Sequence, residues 1–276
     1  MKTRILLFAL PLMAANCCFA QTDTIFANTG PIACTVKEIS TDAISYVYPG
    51  EDITNTVYKN AVTQIRFKSG RVQKFSEATS YKEVKDVKDF ENVATTSLEA
   101  DVKGLFRVGE VSAKAKGTTA YSNQETVKKR AYSKMKMGAA MQGGNVVFLT
   151  NQQSGGNTNG GRYGGANSSE TNLSGVVYAT HIPSFDEFKK LIGNKKTFTA
   201  NEKSSLWSSA SEVETIPATN VLNVKSVENE SGAIYITGTL EKNANQTRFR
   251  VVNFTKDSFT VYFEDKSTAF NYKFKL

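Results

Sequence analysis

The sequence predicts an α+β fold dominated by strands: an N-terminal antiparallel β module, a central βαββ domain and a C-terminal five-stranded antiparallel meander. Three observations carry that expectation. Apolar residues alternate with period two at both ends of the chain, helix-period spacing is confined to two stretches in the middle, and Gly, Pro, Asn and Asp punctuate the alternating runs. A composition of 40% hydrophobic and 22% charged residues is ordinary for a globular protein and excludes collagen-like, disordered and polytopic membrane classes.

Residues 1–20 stand apart. Lys2 and Arg4 precede an apolar stretch, 5–15, too short to span a bilayer as a helix, and the small residue Ala20 comes just before Gln21. This is the pattern of a secretory signal peptide, with Cys18 and Ala20 at the two positions that must be small. A lipoprotein signal, with acylation of Cys17 or Cys18, fits less well, because Asn16 stands where Gly or Ala would lead into the cysteine. The expected address is exported, periplasmic or outer-membrane associated, with no transmembrane span in the mature chain.

Over 21–78 the alternation places Ile32, Cys34 and Val36, then Ile44, Tyr46 and Tyr48, then Ile65 and Phe67, then Val72 and Phe75 on successive strands. Thr29-Gly30-Pro31, Pro49-Gly50 and Ser69-Gly70 form the turns. After export Cys34 is the one cysteine left, so no disulfide framework exists, and its strand setting makes it a small buried hydrophobe. Near the mature start, Asp23-Thr24-Ile25 matches a bacterial O-glycosylation acceptor pattern, with Thr24 as the acceptor.

The region 79–194 reads as strand, helix, strand, loop, strand, helix. A β-compatible run over 102–116 leads to Ser122 and Glu125, whose three-residue spacing is that of a capping box. The helix that follows carries Val127, Ala131, Met135, Gly138 and Ala139 on one face, turns Lys129, Arg130 and Lys136 outward, and stops at Gly143-Gly144. Lys134 and Lys136 suit the negative end of its dipole. The run Asn145-Val146-Val147-Phe148-Leu149-Thr150 predicts a strand covered on both faces. A Gly/Asn-rich loop over 154–172 follows, and then a strand from Ser174. Ser184 and Glu187 open a short helix that buries Phe185, Phe188, Leu191 and Ile192 and ends at Gly193. Residues 195–218, polar and holding the sole Trp207, read as a linker. Over 219–276 the period is two again, with aromatic side chains dense enough to form a sheet core.

The stretch Val127-Lys128-Lys129-Arg130-Ala131 through Met135, Gly138-Ala139-Ala140, Gly143-Gly144-Asn145-Val146-Val147 and then Leu173-Ser174-Gly175-Val176-Val177-Tyr178 resembles the small βαββ domain of the Rcs stress-sensor lipoprotein and of the YbjQ-type proteins. The flanking β modules look similar to those of uncharacterised secreted proteins of Gram-negative envelope bacteria. The resemblance implies an envelope protein of interaction type and implies no activity. Gly144 stands where that family usually has Ala, and the sensor's disulfide-forming cysteines have no counterpart here.

Catalytic side chains are scarce. The single His181 lies between a strand and Pro183, no Gly-x-Ser-x-Gly elbow exists, and His181 with Cys34 make at most two ligands where zinc needs three or four. Gly155-Gly156 and Gly160-Gly161 lack the Gly-Lys-Ser/Thr of a phosphate loop. Acidic pairs are scattered: Asp86 with Asp89, Glu99 with Asp101, Glu228 with Glu230, and Glu264 with Asp265. The expectation is a non-enzymatic secreted or cell-envelope protein acting through protein or envelope contacts, without cofactor or metal and without nucleic acid as partner. Lys128, Lys129, Arg130, Lys134 and Lys136 are the candidate contact to an anionic envelope polymer. Two alternatives are a small-ligand or lipid binder using the C-terminal meander, and a carbohydrate-active hydrolase using two carboxylates.

Overall fold

A buried carboxylate opens the folded chain. The structure, a computed structural model, describes residues 22–75, 81–118, 122–155 and 168–276; the stretch 1–20 expected as a signal peptide, with Cys17 and Cys18, lies outside the described residues. Asp23, 6% exposed, accepts from the Val36 amide through Oδ2 and from the Lys68 amide through Oδ1, each at 2.8 Å. It thereby ties β1 (Asp23–Ala27) to β2 (Gly30–Ile39) and to the turn after β5 (Val62–Arg66). With β3 (Ala43–Val47), β4 (Thr54–Tyr58) and β6 (Val72–Lys74) these make a six-stranded antiparallel sheet in the order β4-β3-β2-β1-β5-β6. Its core is Ile25, Cys34, Ile44, Tyr46, Val62 and Ile65, the residues that period-two alternation turns to one side.

The next sheet has four strands in the order β7-β9-β10-β8: β7 (Ala94–Thr96), β8 (Phe106–Lys116), β9 (Val146–Gly155) and β10 (Glu170–Ala179). The short β7, absent from the sequence expectation, runs parallel to β9. The run expected as one strand over 102–116 begins instead with a 3-10 turn, Glu99–Val102. Helix α1 (Gln124–Met141) packs on this sheet with Val127, Ala131, Met135 and Ala139 fully buried. Its cap is Asn123, not Ser122. The Asn123 Oδ1 accepts from the Glu125 amide at 2.8 Å and the Thr126 amide at 3.4 Å, and Ser122, one residue earlier, receives Ser169 on its carbonyl.

The far end of α1 is a Schellman stop. Gly144 N–H reaches the Ala139 carbonyl, Gly143 N–H reaches the Ala140 carbonyl, and Gly143 takes φ of 77°. Gly144 has no room for a side chain, because a Cβ there would lie 2.1 Å from Val177 Cγ1; the alanine that the family resemblance expects at this position does not fit.

Beyond α1 the strands are more polar than their composition suggests. Only Val146 and Val147 of the apolar run are buried, so β9 is covered on both faces over those two residues alone. The expected loop is shorter than 154–172, since Ser154 and Gly155 still pair with Thr171 and Glu170; residues 156–167 lie outside the described residues.

The last sheet corrects two expectations. Residues 195–218 are no linker: they supply β11 (Thr197–Trp207) and β12 (Glu214–Pro217). The alternation there is hidden because two of the buried positions are serines, and the Ser204 hydroxyl is satisfied by Thr215 Oγ1 at 2.9 Å. The meander is real but incomplete by itself. Strands β13 (Val221–Glu230), β14 (Ala233–Leu240), β15 (Arg248–Phe254), β16 (Ser258–Asp265) and β17 (Thr268–Lys275) follow one another, and β11 pairs with both β13 and β17 to close six strands into a barrel.

Helix α2 (Phe185–Ile192), capped by Ser184 and ended by Gly193, sends Phe188 into the barrel against Phe254 and Phe259. Phe198, Phe249, Phe259, Phe263, Tyr272 and Phe274 fill the interior, each contributing about 1.5–3 kcal/mol by burial. The alternative of a ligand site inside the meander meets a core packed with these rings.

Asp23→Asn keeps the shape of the side chain but leaves one of two amides facing an NH2 group. It is expected to lower stability by about 1–3 kcal/mol, read as a fall in denaturation midpoint without a change in slope.

A cleft between helix α1 and the barrel

The barrel meets the helix-bearing sheet at Arg250, on β15. Its Nη2 donates to the Gln142 carbonyl at 2.7 Å, its Nη1 donates to the Val108 carbonyl on β8, and its guanidinium lies 5.2 Å over the Tyr262 ring. Burial pulls the Arg250 pKa down, and no ion pair to it exists among the described residues. The compensation is geometric, because Gln142 is the C-cap of α1 and its carbonyl sits at the negative end of the helix dipole. The Gln142 side chain continues the junction by donating from Nε2 to the Glu110 carbonyl at 2.8 Å, close over Gly109, where a Cβ would lie 2.2 Å from Gln142 Oε1.

Beside that junction opens a cleft of about 530 Å³, walled by α1, β8, β10, β11 and the β16–β17 hairpin. Four side chains define its chemistry. Lys134, 8% exposed, donates from Nζ to the Ser208 carbonyl and has no carboxylate partner; burial lowers its pKa. Trp207, at the end of β11, is 44% exposed. Tyr262 donates its hydroxyl to Glu264, and burial, then this carboxylate, push the phenol pKa up, so the hydroxyl remains a donor. Ser112, Thr150, Ser174, Ser267 and Thr268 add hydroxyls, and Glu110 and Lys266 complete the charges. The lining is balanced in sign, rich in donors and acceptors, and carries one aromatic face.

The five basic residues expected to act together are scattered by the helix. Lys134 belongs to the cleft, and Lys136 pairs with Glu91 at 3.7 Å. Arg130 donates to the Lys116 carbonyl at 3.3 Å, while Lys128 and Lys129 line an open surface beside Tyr132. Thr24 is the second residue of β1, paired with both Ala33 and Arg66, between the buried Asp23 and Ile25. His181 is exposed, with the Thr180 hydroxyl at 3.3 Å. Cys34 is fully buried, and burial and then Asp23 push its thiol up to about 11. No group of three or more His, Cys, Asp or Glu among the described residues could hold a metal.

No family model, curated protein or solved structure matches this chain. The cleft therefore has to be judged on its own chemistry. Of the acidic pairs marked in the sequence, Asp86 and Asp89 cap the 3-10 turn Val87–Asn92, Asp101 accepts from Thr96, and Glu230 pairs with Arg248. Only Glu264 of that set lines the cleft. Trp207, Glu110 and Lys266 carry no motif; the one available signal was that the single tryptophan stands at the end of a polar strand. No described helix is long and apolar enough to cross a membrane.

Arg250→Met strips donors from two buried carbonyls and is expected to cost about 3 kcal/mol. Arg250→Lys should restore only part, because one ammonium cannot span both acceptors; thermal unfolding of the pair checks this. The Cys34 thiol should resist alkylation in the folded protein and react on denaturation, read by mass spectrometry of its peptide. Since its folded pKa is raised, stability should fall as pH rises from 9.0 to about 11, where the unfolded chain ionises first, and Cys34→Ala should remove that share of the loss.

Proposed function

We propose that the chain is a non-enzymatic exported protein of the cell envelope that binds a saccharide segment of an envelope polymer in the cleft beside α1. In this reading an N-terminal β module and a helix-bearing sheet are joined to a C-terminal barrel, and the binding surface is the seam between the last two. The observation that carries it is the juxtaposition of an exposed Trp207 with Lys134, Glu110, Glu264 and a set of hydroxyls in one open, polar cleft. A sugar ring presents an apolar face that stacks on indole and a rim of hydroxyls that both donate and accept. A carboxylate accepts from such hydroxyls, and the Lys134 ammonium, with only a carbonyl as partner, has donors to spare. Cys34 and His181 support a binding role over chemistry, as the first is buried with its thiol pushed up and the second lies on the surface away from the cleft lining.

Trp207 is the only tryptophan, so its fluorescence reports on the cleft directly. Titration with solubilised envelope polysaccharide should shift or quench that emission saturably, and Lys134→Met, read by the same signal, should weaken binding about tenfold, the loss of one hydrogen bond from a charged donor. Unchanged emission across all envelope polysaccharide fractions sinks the reading.

A hydrolase reading rests on one observation, that Glu110 and Glu264 line the same cleft. Its mark would be reducing ends released from polysaccharide by the wild type and not by Glu264→Gln; with no release by the wild type, binding alone remains.

A further inference from the structure

A second stripe of α1 faces a different concavity. Thr126, Lys129, Arg130, Ser133 and Met137 follow one another at helical spacing, and none of them lines the polar cleft. They form one wall of a groove of about 550 Å³ whose other walls are the 3-10 turn Val87–Asn92 and the segment from Ser211 to Thr215. That volume lies within the range of small-ligand sites.

The floor is apolar, built from Val87, Phe90, Met137 and Val213. The rim is cationic. Lys129 has no ion pair among the described residues, and Arg130 uses Nη2 on the Lys116 carbonyl while its buried Nε has no partner. Of the remaining rim charges, Lys88 is neutralised by Glu202 at 3.1 Å, and Glu212 is the one acid on the opposite wall. The rim therefore carries two cations, Lys129 and Arg130, beside an apolar trough, with no carboxylate among the described residues paired to either.

We propose that this groove binds a single-chain anionic amphiphile, a long-chain fatty acid, with the alkyl chain along Phe90, Met137 and Val213 and the carboxylate at Lys129 and Arg130. The charge pattern selects that occupant. A neutral chain leaves the cations uncompensated, and an amphipathic peptide helix needs a longer row of apolar anchors than these four side chains offer. The site is independent of the saccharide cleft and survives if that reading fails.

The test uses the full chain and palmitate, followed by displacement of a fluorescent fatty acid. Saturable binding is expected, weakened about tenfold by Lys129→Glu through lost charge attraction, and abolished by Val213→Asp; because Val213 packs against the core of the helix-bearing sheet, the melting temperature of that variant is measured alongside. Hexadecanol should compete at least about tenfold more weakly than palmitate. Absence of palmitate binding to the wild type overturns the proposal. So does binding that both variants retain, equal competition by hexadecanol, or adsorption to anionic phospholipid vesicles without binding of free palmitate. Should Val213→Asp unfold, Lys129→Glu and the alcohol comparison still decide.

Discussion

Burying the Arg250 guanidinium sacrifices the hydration of a full charge, and no carboxylate among the described residues pairs with it directly, Glu264 acting on it only from a distance. What offsets the cost is a pair of backbone carbonyls held in fixed places: Gln142 at the end of α1 and Val108 on β8. Both carbonyls are in place because of local backbone chemistry. Gly143 and Gly144 stop the helix so that its last turn points its carbonyls at the barrel, and Gly109 lets the Gln142 side chain lie against β8. The match of one cation to one helix terminus thus joins the barrel to the helix-bearing sheet, beside the packing of Leu206 on that sheet's core and the Lys88–Glu202 pair.

The cleft is a product of that docking. Neither layer alone holds its lining, for Lys134 comes from α1, Ser174 from β10 and Trp207 and Glu264 from the barrel. Rigid elements carry all four, so the polar groups stay placed without a ligand to order them. The same helix serves three masters around its circumference. One stripe is core, one lines the polar cleft, and one lines the apolar groove with its cationic rim. A basic helix face, which composition reads as a single patch, is divided among neighbours as near in the chain as Lys116 and as far as Ser208.

Much of the fold was legible where side-chain period and burial coincide. Cys34 and Ile44 in the first sheet, Ala131, Met135 and Ala139 on α1, and Phe188 on α2 are buried as their spacing demands. Local punctuation was legible for the same reason, since Gly143-Gly144 and Ser184 act through neighbouring backbone groups alone. The reading failed where polar residues are buried or paired. Ser204 and Ser205 disguised β11 as a linker, and the paired ends of β9 and β10 extended an apparent loop. At the start of α1 a capping pattern at Ser122 competed with a better-placed amide at Asn123. Of the cleft only Lys134 and Glu264 were marked, each in another grouping, because its members are separated in the chain and share no spacing rule.

The amino-acid sequence by itself determined the strand-rich α+β character and the two helices with their stops. These follow from period, capping and composition, all of which act over a few residues. Only the tertiary structure decided that β11 closes the meander into a filled barrel, that Lys134 leaves the other lysines to face Trp207, and that Arg250 bridges two layers. Such facts depend on long-range pairing and on which charges find acceptors once water is excluded, and a linear chain carries no local record of either.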